Sequence, residues 1–410
     1  MSTVRRLSSW IHLYGGLALG GLLILVSVTG SALVFKDTLD RWLRPDLLRV
    51  EPTGERVSLD RMVSAVRSAR PEATLRLVEM PDHATAPVTV WLAADNTRVY
   101  VDPYKGTVLG TRGPQEGIMN TLSALHVEVL AGRAGMTVVG VLGLLLVLLT
   151  ATGLVLWWPR RVRALWTALR ISWKHGTLRF NYDLHRAGGF YTTVFLLLTA
   201  LTGSAFVFYP TTKHVVSTLT ASEPWPPEPP TVEARPDTIR PGPSVSYEAA
   251  LQAAQEQLPG AEVSFVYGPQ SETAPLTVRL RTPPELHPKG RSFVYVHPTE
   301  ATVLRVDDAR TAPGGAQLLQ ALYPLHVGAV GGRVGKWLYV LLGLAPAVLS
   351  VTGTIIWYRR WRRAAPDPPD RDEVGTRSAT LPPRLTADEE GSAASVVAQS
   401  GDDVYERRSD

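Results

Sequence analysis

Four of the nine histidines in this 410-residue chain fall in two matched pairs. His12 is followed by Gly15-Gly16 and then by Val28-Thr-Gly-Ser-Ala-Leu-Val-Phe35. At an offset of 173 residues, His185 is followed by Gly188-Gly189 and by Leu201-Thr-Gly-Ser-Ala-Phe-Val-Phe208. At an offset of 200, Leu125-His126-Val127 with Gly132, Arg133 and Gly135 matches Leu325-His326-Val327 with Gly332, Arg333 and Gly335. The same offset aligns Thr152, Gly153 and Trp157 with Thr352, Gly353 and Trp357. Neutral imidazole is a common axial ligand of haem iron, and two imidazoles make a low-spin electron-transfer centre. Ligands related by a two-fold axis bring one ring to each face of a porphyrin on that axis. The alternative is that histidines at a membrane boundary anchor a helix or satisfy a carbonyl. Gly16 lies four residues after His12 on the same helical face, and Gly189 repeats it. Such small residues admit either a flat ring or a neighbouring helix. Arg133 and Arg333 suit haem propionates or lipid phosphates equally. Of the other histidines, His83 and His287 fall in soluble loops, His297 in a turn and His175 in a basic stretch. His214 follows the third apolar block and is the one plausible substitute ligand.

These residues need elements to hold them. Four uncharged apolar blocks, Trp10–Phe35, Met136–Trp158, Gly188–Tyr209 and Trp337–Tyr358, are 22 to 26 residues long. At 1.5 Å per residue each can cross a hydrocarbon core of about 30 Å. The first is too long, and lacks the small-residue site, for a cleaved signal peptide. Arg5 and Arg6, the run from Arg160 to Lys174, and Arg359 to Arg363 flank the blocks, and the positive-inside rule puts all three segments in the cytoplasm. Both long segments between blocks then lie outside. His12 and His185 fall at one membrane depth and His126 and His326 at the other, which pairs them in that way. The net charge of +5 reflects these anchors, not a nucleic-acid surface. The chain has no cysteine, which excludes disulfides, iron–sulfur clusters held by thiolates, and covalently attached haem. Any haem is therefore non-covalent. Nucleotide-binding glycine loops, zinc-peptidase motifs and nucleophile signatures are missing.

The soluble segments repeat as well: Thr85-Ala-Pro-Val-Thr-Val90 matches Thr273-Ala-Pro-Leu-Thr-Val278. A two-fold duplication with parallel repeats follows, its pseudo-axis along the membrane normal. Ser58 and Ser246 read as helix N-caps, followed by acidic Asp60 and Glu248. Strand-like runs follow in each copy. The expected fold is α-helical and membrane-embedded, with four transmembrane helices in two parallel repeats and two small α+β extracytoplasmic modules. The expected segments are helix 8–36, module 50–113, His segment and helix 118–158, basic loop 159–184, helix 185–209, Pro-rich linker 210–243, module 244–309, His segment and helix 316–358, and a disordered cytoplasmic tail, 364–410.

As an ordered set these motifs resemble the PepSY-associated transmembrane helix family of bacterial inner-membrane proteins, often called iron-regulated membrane proteins. The family pattern is a His-x-x-x-Gly start, Thr-Gly near the helix end, a PepSY module, then Leu-His and a closing Thr-Gly…Trp. Here those positions are His12, Gly16, Thr29, Gly30, His126, Thr152, Gly153 and Trp157, and again His185, Gly189, Thr202, Gly203, His326, Thr352, Gly353 and Trp357. The resemblance implies a bacterial inner-membrane protein, similar in some members to haem-containing reductases of ferric siderophores. On that basis His12, His185, His126 and His326 ligate the iron of two b-type haems. Gly16 and Gly189 make room, and Arg133 and Arg333 meet the propionates. Electrons come from quinol or a cytoplasmic reductase and go to a ferric siderophore or other chelate outside. The rival readings are a non-enzymatic PepSY module that binds or regulates a partner protein, and a metal or siderophore transport component.

Overall fold

The computed structural model describes residues 2–174, 176–223, 225–233 and 246–364. His175, residues 224 and 234–243 of the expected Pro-rich linker, and nearly all of the expected C-terminal tail lie outside the described residues; the first part of that linker is helical. The first membrane helix is α1 (Thr3–Leu33). Short helices α2 (Lys36–Leu43) and α3 (Pro45–Leu48) lead to α4 (Leu59–Ala69) and strands β1 (Leu75–Glu79), β2 (Val88–Leu92), β3 (Arg98–Val101) and β4 (Val108–Arg112). Helix α5 (Ile118–Glu128) precedes the second membrane helix, α6 (Gly132–Trp157), and a small α7 (Leu165–Leu169) follows. The order then recurs: α8 (Gly176–Val207), α9 (Tyr209–Thr220), α10 (Tyr247–Gln257), β5 (Glu262–Tyr267), β6 (Leu276–Arg281), β7 (Ser292–Val296), β8 (Val303–Asp307), α11 (Gly314–Val327), α12 (Gly332–Gly343) and α13 (Ala345–Ala364). Four spans among the described residues are long and apolar enough to cross a membrane: Thr3–Leu33, Gly132–Trp157, Gly176–Val207 and Gly332–Arg363. This is a multi-pass membrane protein.

The fourth span is not one uninterrupted helix. It breaks at Leu344, between α12 and α13. Pro346, two residues past the break, has no N–H to continue the ladder. Gly343 sits against Ser31 of α1, where a β-carbon would lie 2.5 Å from the hydroxyl oxygen, so the break also brings two helices close.

The strands form a single antiparallel sheet of eight, in the order β4-β3-β2-β1-β5-β6-β7-β8, where two separate modules were expected. The halves join edge to edge through β1 and β5, with Leu77 opposite Tyr267, Val78 opposite Val266 and Glu79 opposite Phe265. An isolated four-stranded half would expose this edge, and pairing covers it. Alternation buries Val78, Val88, Val90, Val99, Val101, Val266, Val278, Val294 and Val296 on one face, under Met62, Val66, Leu251 and Ala254 of α4 and α10. The two helices cap each other. Asp60 accepts from Tyr247 N at 2.7 Å and from the Ser246 hydroxyl at 2.6 Å, and Glu248 accepts from Leu59 N at 2.8 Å. Each acid thus occupies the positive end of the other helix.

The opposite sheet face turns toward α5 and α11. Arg112 at the end of β4 is fully buried and makes a bidentate pair with Asp40 of α2, at 2.7 and 3.0 Å. Its Nε donates to Glu116 O at 2.8 Å, which ties β4 to α2 and to the entry of α5.

Two opposed histidine pairs as the candidate functional site

The chain reverses direction between α5 and α6 through Val129, Leu130 and Gly132, all at positive φ. Between α11 and α12 it does so through Gly328, Gly331 and Gly332. Gly135 and Gly335 make the reversals possible: a β-carbon there would lie 1.8 Å from Glu128 O or 2.3 Å from Val330 O. The Gly-Arg-x-Gly segments therefore serve the turn. Arg133 and Arg333 stand exposed in the first turns of α6 and α12. The reversal lays α5 back against the end of α1, and α11 against the end of α8, which carries His126 and His326 to the C-terminal ends of those helices.

The structure brings the four histidines together in two pairs. His12 of α1 and His185 of α8 have ring centroids 6.1 Å apart, with planes at 82°. His126 of α5 and His326 of α11 are 6.3 Å apart, at 48°. In each pair one ring comes from each half of the chain. His214 is exposed on α9 and belongs to neither. His83 accepts from Arg41, and His297 meets the hydroxyl of Thr299.

All four rings are seated in one way. His12 Nδ1 lies 3.0 Å from Leu149 O and 3.4 Å from Thr152 Oγ1. His126 Nδ1 lies 2.9 Å from Val26 O and 3.5 Å from Thr29 Oγ1. His185 Nδ1 meets Thr352 Oγ1 at 3.0 Å, and His326 Nδ1 meets Thr202 Oγ1 at 2.9 Å. Each of these threonines donates its own hydroxyl proton to a carbonyl three or four residues earlier in its helix. Its oxygen is then left as an acceptor, so the imidazole must donate from Nδ1. That fixes the tautomer and leaves the Nε2 lone pair free on all four rings.

The glycine after each threonine clears space for the ring. A β-carbon would lie 2.6 Å from the histidine Cε1 at Gly30, 2.9 Å at Gly153, 3.1 Å at Gly203 and 3.0 Å at Gly353. Thr-Gly is thus a seat for a histidine on a neighbouring helix. This role was hidden in the sequence, because a Thr-Gly pair in an apolar helix reads equally as helix packing. Gly16 and Gly189 differ: nothing approaches the first within 4 Å, and only Leu349 reaches the second, at 3.8 Å. The face of α1 just beyond His12 is open, as a flat ring lying there requires.

With metal–imidazole bonds of about 2 Å, and ring centres roughly 1.1 Å behind the ligating nitrogens, an ion between two opposed imidazoles sets their centroids roughly 6.2 Å apart. Both pairs match that spacing. No group of three or more His, Asp or Glu side chains suited to an ion occurs among the described residues. A bare divalent ion takes three or four protein ligands. Haem iron brings four nitrogens of its own and asks the protein for two more. The donor set fits haem at both positions.

Beyond the His126–His326 pair, Phe206 meets the His326 ring edge-on at 5.6 Å and lies 6.4 Å from Tyr323. Tyr323 stacks on His287 at 5.0 Å. Burial beside Arg279, Arg291 and Arg281 pushes the His287 imidazole down to about 3, so it is neutral. Sequence alone had placed His287 in an unremarked loop.

The family model described as the PepSY-associated TM region matches residues 9–360. The chain belongs to that family. The match spans both histidine pairs, all four Thr-Gly seats and the whole sheet. No curated protein matches the chain.

Proposed function

We propose that this member of the family moves electrons across the bacterial inner membrane on two non-covalently bound b-type haems and reduces a ferric chelate on the far side. The observation that supports this best is two pairs of Nδ1-anchored imidazoles with ring centroids 6.1 and 6.3 Å apart, neither joined by a third side chain suited to an ion among the described residues. His12 and His185 hold the inner haem; His126 and His326 hold the outer. When bound, the haems supply one-electron redox chemistry at iron. The residues keep both ligand rings neutral and pre-aligned, so little reorganisation accompanies a change of charge at the metal. The apolar helices between the pairs exclude water. Basic flanks place both termini and the 159–184 loop in the cytoplasm, and the two PepSY-like halves of the sheet outside. The electron enters from quinol or a cytoplasmic reductase. Its delivery to a ferric siderophore converts Fe(III) to Fe(II), which hard oxygen ligands hold less tightly.

The test is a reduced-minus-oxidised spectrum and a haem assay on purified protein. Two haems per chain are expected, falling to one in His126→Ala with the inner haem retained. A colourless protein from cells supplied with haem overturns the reading. Two intact haems in His126→Ala overturn the pairing.

A further inference from the structure

The loop between β6 and β7, residues 282–291, has ten residues where its counterpart between β2 and β3, residues 93–97, has five. The extra length carries Glu285, His287, Lys289 and Arg291 onto the sheet face turned toward α11. There His287 stacks on Tyr323, one helical turn before His326.

Two arginines share this face of the sheet. Arg279 is clamped between Phe265 and Phe293, at 5.3 and 5.9 Å from the ring centres. It donates to Gly290 O at 2.9 and 2.6 Å and lies 3.3 Å from His287 Nδ1. Arg291 lies two residues before Phe293, the strand partner of Arg279, and so on the same face of the sheet; burial, and then the like charge of Arg279, hold its guanidinium below the usual arginine range. Neither arginine reaches a carboxylate within ion-pair distance among the described residues. Arg291 Nε is buried with no partner.

The nearby acids are already engaged. Glu285 accepts from Thr282 N and Oγ1, Arg291 N and Ser292 Oγ within its own loop. Glu79 and Asp82 pair with Lys289 at 3.0 and 2.7 Å. Burying guanidinium donors unfilled is costly, and a bidentate oxyanion is the group that fills them. Protein does not close this face over: Tyr323 is 41% exposed.

We infer that this face of the sheet binds an anionic ferric chelate, with Arg279 and Arg291 as its anion-binding pair and Tyr267 and Tyr323 as aromatic walls. The inference rests on the electron-transfer reading and names the charge class of its acceptor. A chelate seated here touches Tyr323, which is joined through Phe206 to the ring of His326. Reduction adds one electron to the iron and one negative charge to the chelate. The first half also sets two arginines opposite each other, Arg98 and Arg112, but there Asp40 neutralises Arg112 and Trp91 covers Arg98 at 4.5 Å.

Redox-inert probes separate binding from electron transfer. Gallium(III) tris-catecholate, a trianion, is titrated calorimetrically into the full chain in detergent, alongside an uncharged gallium(III) trihydroxamate. The trianion binds. Arg279→Gln and Arg291→Gln each weaken it by roughly tenfold, and Arg291→Lys recovers part of the loss. Binding of the uncharged chelate does not change. In the unaltered protein the trianion's affinity falls as salt rises. Trianion binding that survives both Gln variants, a flat salt dependence, or equal losses for the uncharged chelate overturns the inference. So does a Gln variant that loses haem yet keeps the trianion, which assigns the guanidiniums to the cofactor's own carboxylates. A colourless protein that still binds the trianion through both arginines keeps the site and sinks the electron-transfer reading instead.

Discussion

At the residue scale, each histidine depends on a threonine and a glycine from another helix. The glycine is the sharper constraint, because the ring cannot retreat without losing the Nδ1 hydrogen bond. Gly30→Ala places a methyl 2.6 Å from His126 Cε1 and Gly153→Ala places one 2.9 Å from His12 Cε1. The first variant is expected to lose the outer haem and keep the inner, and the second the reverse, by haem assay and low-temperature spectrum. Loss of the same haem in both would disprove the seat assignment. The two pairs also differ in interplanar angle, 82° against 48°, so two distinct low-spin EPR signals are expected. His287 makes a different prediction. Its folded value is pushed down to about 3 from 6.5 by burial and three arginines. The unfolded chain therefore binds a proton between about pH 6.5 and 3 that the folded chain refuses. Stability from this group is present above pH 6.5 and is lost progressively as pH falls through that window. His287→Phe, which keeps the stack on Tyr323, should flatten the fall in melting temperature between pH 7 and 5. An unchanged slope would show that other groups dominate.

At the element scale, the connection from membrane helix to sheet rests on Arg112 and Asp40. Removing one partner of a buried ion pair strands the other charge, at a cost of roughly 3–5 kcal/mol. Asp40→Asn should lower thermal stability by about that amount, with the sheet melting before the membrane helices in circular dichroism. A shift under 1 kcal/mol would mean that water reaches the guanidinium. The four apolar blocks, the eight strands and the Ser58 and Ser246 caps were legible in the sequence, because each is a local pattern of apolar length, alternation or capping chemistry. The Asp40–Arg112 pair was not, since nothing in either residue's neighbourhood names a partner 72 positions away. The reversals after α5 and α11 were half legible. Gly132, Gly135, Gly332 and Gly335 stood out as repeated, and the arginines between them drew the chemical reading. The structure gives the glycines the turn and leaves the arginines exposed.

At the scale of the whole molecule, repetition made the histidine pairs visible in the sequence, whereas the join between the halves leaves no sequence signal. Antiparallel pairing of β1 with β5 makes one sheet, but the strands that meet there look like any others. Each histidine pair takes one ring from each half, so whatever joins the halves also sets the spacing of both pairs. Two different joins do this. In the membrane, α6 and α8 pack closely along their length: Trp157 stacks on Phe190 at 3.8 Å near the inner pair, and Ser204 Oγ donates to Gly140 O at 2.9 Å near the outer one. On the outer side the seam of the sheet spans the halves, with Val78 opposite Val266 at its centre. Proline at Val266 removes a ladder donor from a strand paired on both edges, which sheets do not tolerate. Val266→Pro is therefore expected to loosen the outer pair and leave the inner one intact. The measurement is haem content with resolved spectra of the two centres, in membranes, where the apolar helices remain inserted whatever the sheet does. One haem, with the inner pair's spectrum, is the expected result. Retention of both haems would show that α5 and α11 hold the outer rings without help from the sheet. Loss of both would show that the membrane helices do not keep the inner pair together on their own.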